Sequence, residues 1–213
     1  MFLVMGVLAA LQERSVSGKG QVIDAAMIDG VPSLMGLIQN LYRQNQWLPQ
    51  RESNMLDGGA PYYRCYETAD NNYLAVGAIE PQFFEEFLHK AGLPADDLKY
   101  QNDHSAWPAM HKRYESRIKL KSRDDWMRIF EGSDACVAPV LNFDEAPLHP
   151  HNAARQVYID EQYQASPAPR FDRTPASPPL PPLAPGESTD QVVDELGYSS
   201  DDIKKLRAQG VIR

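Results

Sequence analysis

Two short runs, Tyr62 to Glu67 and Tyr73 to Gly77, are rich in aromatic and apolar residues and are separated by Asp70-Asn71-Asn72. Turn chemistry of that kind between two such runs predicts an antiparallel hairpin. The second run continues through Ala78-Ile79 to Glu80-Pro81, and a proline there predicts the first turn of a helix. Further helices are expected over Pro81 to Ala91, about Ser105 to Ile118, and Ser122 to Glu131. Pro108 stands near the start of the second, and Ser122 with Asp124 and Asp125 makes an N-cap and acidic first turn for the third. Cys136 to Val140 is then a short strand. Residues 62–140 therefore read as a small α+β domain.

The flanks are of a different kind. Phe2 to Leu11 is an apolar helix with no basic segment before it, and Gln12-Glu13-Arg14 end the run. A membrane-spanning helix needs about 20 apolar residues, so this one is expected to be buried on nearly all faces within protein. Ser17 to Gly20 is turn chemistry, Gln21 to Asp24 a candidate strand, and Ala25 to Asn45 a helix with a possible kink at Pro32. That makes residues 1–46 an α/β unit whose parallel partner strands lie elsewhere. Residues 47–61 form a polar linker or lid. Residues 141–186 form a second linker, whose part from Ser166 to Gly186 carries prolines at 167, 169, 175, 178, 179, 181, 182 and 185 and predicts an extended strap. Residues 187–213 hold two helices, Ser188 to Leu196 and Asp201 to Gln209, the second opened by a Ser199/Asp202 capping box. The overall class is α/β (α+β).

Composition narrows the partners. The 213 residues carry a net charge of −8, which argues against nucleic acid or an anionic membrane as a partner, since both need a basic face. Cys65 and Cys136 are the only cysteines, too few for a secreted disulfide framework, so a reduced cytoplasmic or organelle-matrix location is expected. With no second thiol at metal or redox spacing, both are read as small buried hydrophobes. His149-Pro150-His151 lacks a third ligand at metal spacing and reads as a loop before a helix. His89, His104 and His111 read as surface or boundary residues of amphipathic helices.

One carboxylate stands out by position. A lone glutamate in an acidic chain is ordinarily a solvated surface group, yet Glu80 lies where an apolar strand meets a helix, where partial burial would raise its pKa toward the range useful for acid/base work. Upstream, Asp57-Gly58-Gly59-Ala60-Pro61 is at least a turn. A diglycine also lets backbone N–H groups approach a ligand carbonyl, the arrangement that stabilises an enolate oxygen. Met55 and Leu56 before it, and Tyr62 and Tyr63 after it, suit an apolar, adaptable wall, although such residues are more often core. The sequence has no Gly-x-Gly-x-x-Gly, Walker or Gly-x-Ser-x-Gly motif.

Four strings, Gly18 to Ala25, Asn54 to Tyr63, Val76 to Phe83 and Ser133 to Leu141, resemble the α-methylacyl-CoA racemase family. Leu196 to Ser199 and Gly210 to Ile212 resemble the wider class III CoA-transferase superfamily. The resemblance implies the C-terminal part of that fold: a partial large-domain segment, the small domain, and a proline-rich return to the large domain. It implies inversion of the 2-methyl-bearing carbon of a branched acyl-CoA by proton removal and return through an enolate. The CoA thioester is then the substrate, and no metal or organic cofactor is used. By the same resemblance a histidine and an aspartate transfer the proton, and Glu80 is the supporting glutamate. Met55 and Ile79, with Tyr63 nearby, belong to the acyl-binding surface, and the assembly is an interlocked homodimer. None of the five histidines matches the family's catalytic one, and the aspartate is expected just upstream of the segment aligned with Met1. The chain alone, or without a complementing N-terminal chain, is therefore expected to be inactive and poorly soluble as a monomer. CoA transfer between acids, and a non-catalytic fragment that only dimerises, are the alternative readings.

Overall fold

The computed structural model describes residues 1–159 and 164–212. They divide into two compact units, Met1–Val140 and Leu141–Arg213.

In the first unit a helix, α1 (Phe2–Ser17), ends at Gly18, whose left-handed backbone (φ 73°) lets its N–H reach the Arg14 carbonyl at 2.8 Å. Residues 18–26 form neither helix nor strand, so the strand expected at Gln21 to Asp24 is not formed. A strand exists only with a neighbour for its N–H and C=O groups, and none of the described residues pairs with it. The helix expected over Ala25 to Asn45 is two helices, α2 (Met27–Leu34) and α3 (Gly36–Arg43), broken at Met35. Pro32, which has no N–H to give the preceding turn, lies just before the break. Within this chain none of these three helices holds a buried residue, and Phe2, Leu3, Leu8, Leu11, Ile28 and Leu37 are exposed, so the burial expected of α1 is not supplied by the chain's own residues.

The hairpin is as its sequence predicts. β1 (Tyr63–Glu67) pairs antiparallel with β2 (Tyr73–Gly77), Tyr63 opposite Gly77 and Glu67 opposite Tyr73. Asn71 takes the positive φ (59°) that the turn needs. The Asp70 carboxylate bonds to Thr68 and Asn72 and reaches the backbone N–H of Arg123, so the turn is tied to the start of a distant helix. β3 (Val137–Val140) joins β2 antiparallel to give the order β1-β2-β3. Pro139 is tolerated because β3 is an edge.

Helices cover one face of this sheet. α4 (Pro81–Ala91) buries Phe84, Phe87, Leu88 and Ala91, the i, i+3, i+4, i+7 stripe of a half-buried helix. A 3-10 turn (Ala95–Tyr100) leads to α5 (Trp107–Ile118), which buries Trp107, Met110, Tyr114 and Ile118. α6 (Arg123–Phe130) adds Trp126 and Phe130. Tyr66, Leu74 and Val76 meet them from the sheet. Phe87 joins the helices, its ring centroid 5.8 Å from that of Tyr114 and 6.0 Å from that of Phe130. Buried polar tips are satisfied: Trp126 Nε1 donates to the Ile118 carbonyl at 2.7 Å, and Tyr66 Oη to that of Pro61 at 2.6 Å. Arg117 Nε of α5 donates to the Ala91 carbonyl at 2.6 Å, capping the last turn of α4.

The second unit contains α7 (Glu145–Leu148), α8 (Pro150–Ala154), and a small antiparallel pair of β4 (Tyr158–Ile159) with β5 (Gln164–Ala165). That pair has no counterpart in the sequence reading. The proline-rich stretch forms no helix or strand and is exposed from Pro169 to Gly186, as an extended strap should be. α9 (Thr189–Glu195) and α10 (Ser200–Ala208) follow, and the predicted capping box is present: Ser199 accepts from the Asp202 N–H, and the Asp202 carboxylate accepts from the Ser199 N–H. Among the described residues, no helix is long and apolar enough to cross a membrane.

Candidate functional site

The loop leading into β1 is built around Asp57. Its carboxylate accepts from the backbone N–H groups of Asn54 (2.8 Å), Gly59 (3.1 Å) and Ser53 (3.3 Å), and from Asn54 Nδ2 at 2.7 Å. Asn54, itself buried, donates to the Leu48 carbonyl and accepts from the Leu48 N–H. Burial pushes the Asp57 pKa upward, but these four donors outweigh it and hold the carboxyl below its ordinary value.

The two glycines have separate reasons. Gly58 has φ 90°, a conformation open to glycine and strained for other residues. Gly59 is buried, and a Cβ there would lie 2.5 Å from Asn54 N and 2.6 Å from Ser53 N. The Gly59 N–H is engaged by Asp57 and is not free to meet an enolate oxygen.

His111 reaches this loop from α5. Its Nε2 lies 2.7 Å from the Gly59 carbonyl oxygen, and its Nδ1 lies 3.0 Å from Nη1 of Arg64 on β1. A guanidinium only donates, so Nδ1 must be the unprotonated acceptor and Nε2 the N–H that donates to Gly59. Burial lowers the His111 pKa, and the neighbouring Arg64 charge lowers it further against the opposing Gly59 bond, Glu115 and Glu52. Sequence reasoning missed this residue, because 52 positions separate it from Gly59 and nothing local marks the pairing.

The sheet face turned away from the helices is lined by small side chains. Tyr63, Cys65, Ala75, Gly77, Cys136 and Ala138, joined by Glu52, Gly58, Arg64 and Val76, bound a groove of about 580 Å³. Of the residues singled out from the sequence, Gly58 and Tyr63 line it. Ile79 is half-buried and packs against the core, Leu56 is half-buried, and Met55 is exposed. Glu80 is the N-cap residue of α4 and makes no side-chain cap bond. Glu80 is exposed rather than desolvated. Its charge is nonetheless felt at the groove: burial raises the Cys136 pKa, and Glu80, Asp134 and Glu86 raise it further. Both cysteines are exposed, correcting the expectation of burial. Cys65 alternates with buried Tyr66 and so faces the open side, and Cys136 precedes β3 with φ 52°. Among the described residues, no three His, Cys, Asp or Glu side chains are grouped to hold a metal ion.

The groove, the pinned diglycine loop and the carboxylate at the head of α4 thus occupy one sheet and its margins. Residues 1–189 match the model of CoA-transferase family III. The chain belongs to that family. It is 40% identical to human α-methylacyl-CoA racemase over 217 aligned residues, covering all of this chain and 56% of the human protein. Its identity to the mouse racemase is 39%, over 57% of that protein. The chain therefore spans little more than half the length of these relatives. Among solved structures, Rv3272 from Mycobacterium tuberculosis matches with a TM-score of 0.60 at 16% identity, over 81% of this chain and 46% of that one. That likeness is one of fold.

Proposed function

We propose that this chain supplies the C-terminal part of an enzyme that racemises 2-methyl-branched acyl-CoA thioesters. The observation that carries the reading is identity of 40% to a protein named as that racemase, sustained over the whole chain. In this reading a base removes the α-proton, the electron pair delocalises into the thioester as an enolate, and an acid returns a proton to the opposite face. The proton-transfer histidine and aspartate come from the N-terminal portion of the longer protein, in the same chain or a complementing one. Glu80 supports the histidine, and its exposure here fits a carboxylate whose partner belongs to that portion. Met55, Leu56, Tyr63 and Ile79 border the acyl chain, and Asp57-Gly58-Gly59 lies near the thioester as a rigid edge. The assembly is an interlocked homodimer in a cytoplasmic compartment, without metal or organic cofactor.

CoA transfer between acids is the second reading, favoured by the family model itself, which carries the name of that chemistry. It needs a nucleophilic carboxylate that forms an acyl anhydride. Incubation of an optically pure 2-methylacyl-CoA with the completed enzyme, without any acceptor acid, separates the two. Racemisation is expected to consume the optical purity; retention of it throughout, with CoA passing to an acid once an acceptor is added, would replace this reading with transfer.

A further inference from the structure

The acid/base reading above leaves one charged cluster unused: His111, Arg64, Glu115 and Glu52, gathered beside the groove. We propose that His111 is a positioning residue that, while neutral, bridges Gly59 to Arg64 and holds Arg64 against the diglycine loop along the groove, and that its protonation drives Arg64 off while the bond to Gly59 remains.

The bridge depends on both ring nitrogens. Nε2 donates to the buried Gly59 at 2.7 Å, and Nδ1 accepts from Arg64 Nη1 at 3.0 Å, with the same nitrogen 3.4 Å from Nε2. A protonated ring keeps the first bond, but Nδ1 then carries a hydrogen and faces a guanidinium that has only donors. Two cations would stand about a hydrogen-bond length apart in a half-buried position, where Coulomb repulsion is weakly screened. Carboxylates temper this without removing it. Glu115, from α5 itself, lies 4.0 Å from Arg64 Nη2, and Glu52, from the loop, acts on the ring at longer range. Burial and Arg64 already hold the His111 pKa below its ordinary value. As pH falls below the ordinary histidine value the unfolded chain takes the proton first, so stability from this bridge is present above that value and declines below it. Arg64 lines the groove, so its displacement moves the wall.

The consequence for acyl-CoA rests on the racemase reading, but the bridge itself does not. The test is an NMR titration of the 213-residue chain with labelled histidine, glycine and arginine, with Trp107 and Trp126 fluorescence reporting an intact core. His111 is expected in the Nε2–H tautomer, and the Gly58, Gly59 and Arg64 side-chain signals are expected to shift with the midpoint of its ring. Exchange protection of the Arg64 guanidinium protons should fall about tenfold below that midpoint, the scale of losing one hydrogen bond with its partner left unsatisfied. H111Q, which offers one donor and one acceptor but does not titrate, should keep the protection and abolish the shift. Flat Gly58, Gly59 and Arg64 signals through the titration of the ring would overturn the proposal, as would a shift that persists in H111Q. These readouts are independent of turnover, so a lack of racemisation leaves the bridge standing and a flat titration leaves the racemase reading standing.

Discussion

At Gly59 the backbone passes so close to residues 52–54 that a methyl group has no room, its nearest neighbours being main-chain atoms that cannot swing aside. Gly59→Ala is therefore expected to destabilise the small domain by about 3 kcal/mol, the upper range for overpacking, read as a lower urea midpoint by tryptophan fluorescence. Asp57 works through charge. Its folded pKa lies below the ordinary value, so its contribution is fully present above the ordinary carboxylate range and is lost as pH falls through the folded value. Asp57→Asn should lower stability at neutral pH by about 2 kcal/mol, since an amide places donors against the donors it must accept from. Acid unfolding of the variant should also be less steep than that of the natural chain. The Asp57-Gly58-Gly59 turn was legible because its chemistry is local. Its clasp by His111 was not, because that contact is created by folding α5 over β1.

Among elements, those with punctuation at both ends were legible from the sequence. α4 begins at Pro81 and ends at Gly92, whose φ of 65° lets its N–H turn back to the His89 carbonyl, and the predicted bounds match the observed ones. α6 is set by Ser122, whose Oγ accepts from the Asp125 N–H at 3.1 Å. Ser122→Ala is expected to cost about 1 kcal/mol, the usual loss on removing such a cap, visible as a lower melting temperature. Elements that depend on partners outside their own sequence were misread. Gln21 to Asp24 has strand composition but no pairing neighbour among the described residues. The cysteines have core composition, yet strand alternation and the start of β3 put them on the open face. Glu80 was read as partly desolvated from its apolar flanks, whereas burial of Ala78 and half-burial of Ile79 say nothing about a side chain further along.

At the scale of the molecule, the small domain carries its own core while the first three helices bury nothing. Exposed apolar side chains on three successive helices suit packing against other protein. The proposed role of Glu80 is to support proton transfer at the α-carbon of an acyl-CoA bound against this domain. It is tested most directly in a folded chimaera in which this chain replaces the matching part of the human racemase, by following deuterium uptake from heavy water at the α-carbon of a 2-methylacyl-CoA. The chimaera should exchange that proton, and Glu80→Gln should slow the exchange by about 100-fold, the scale of general acid/base support. Exchange at an unchanged rate in the Glu80→Gln chimaera would contradict the account.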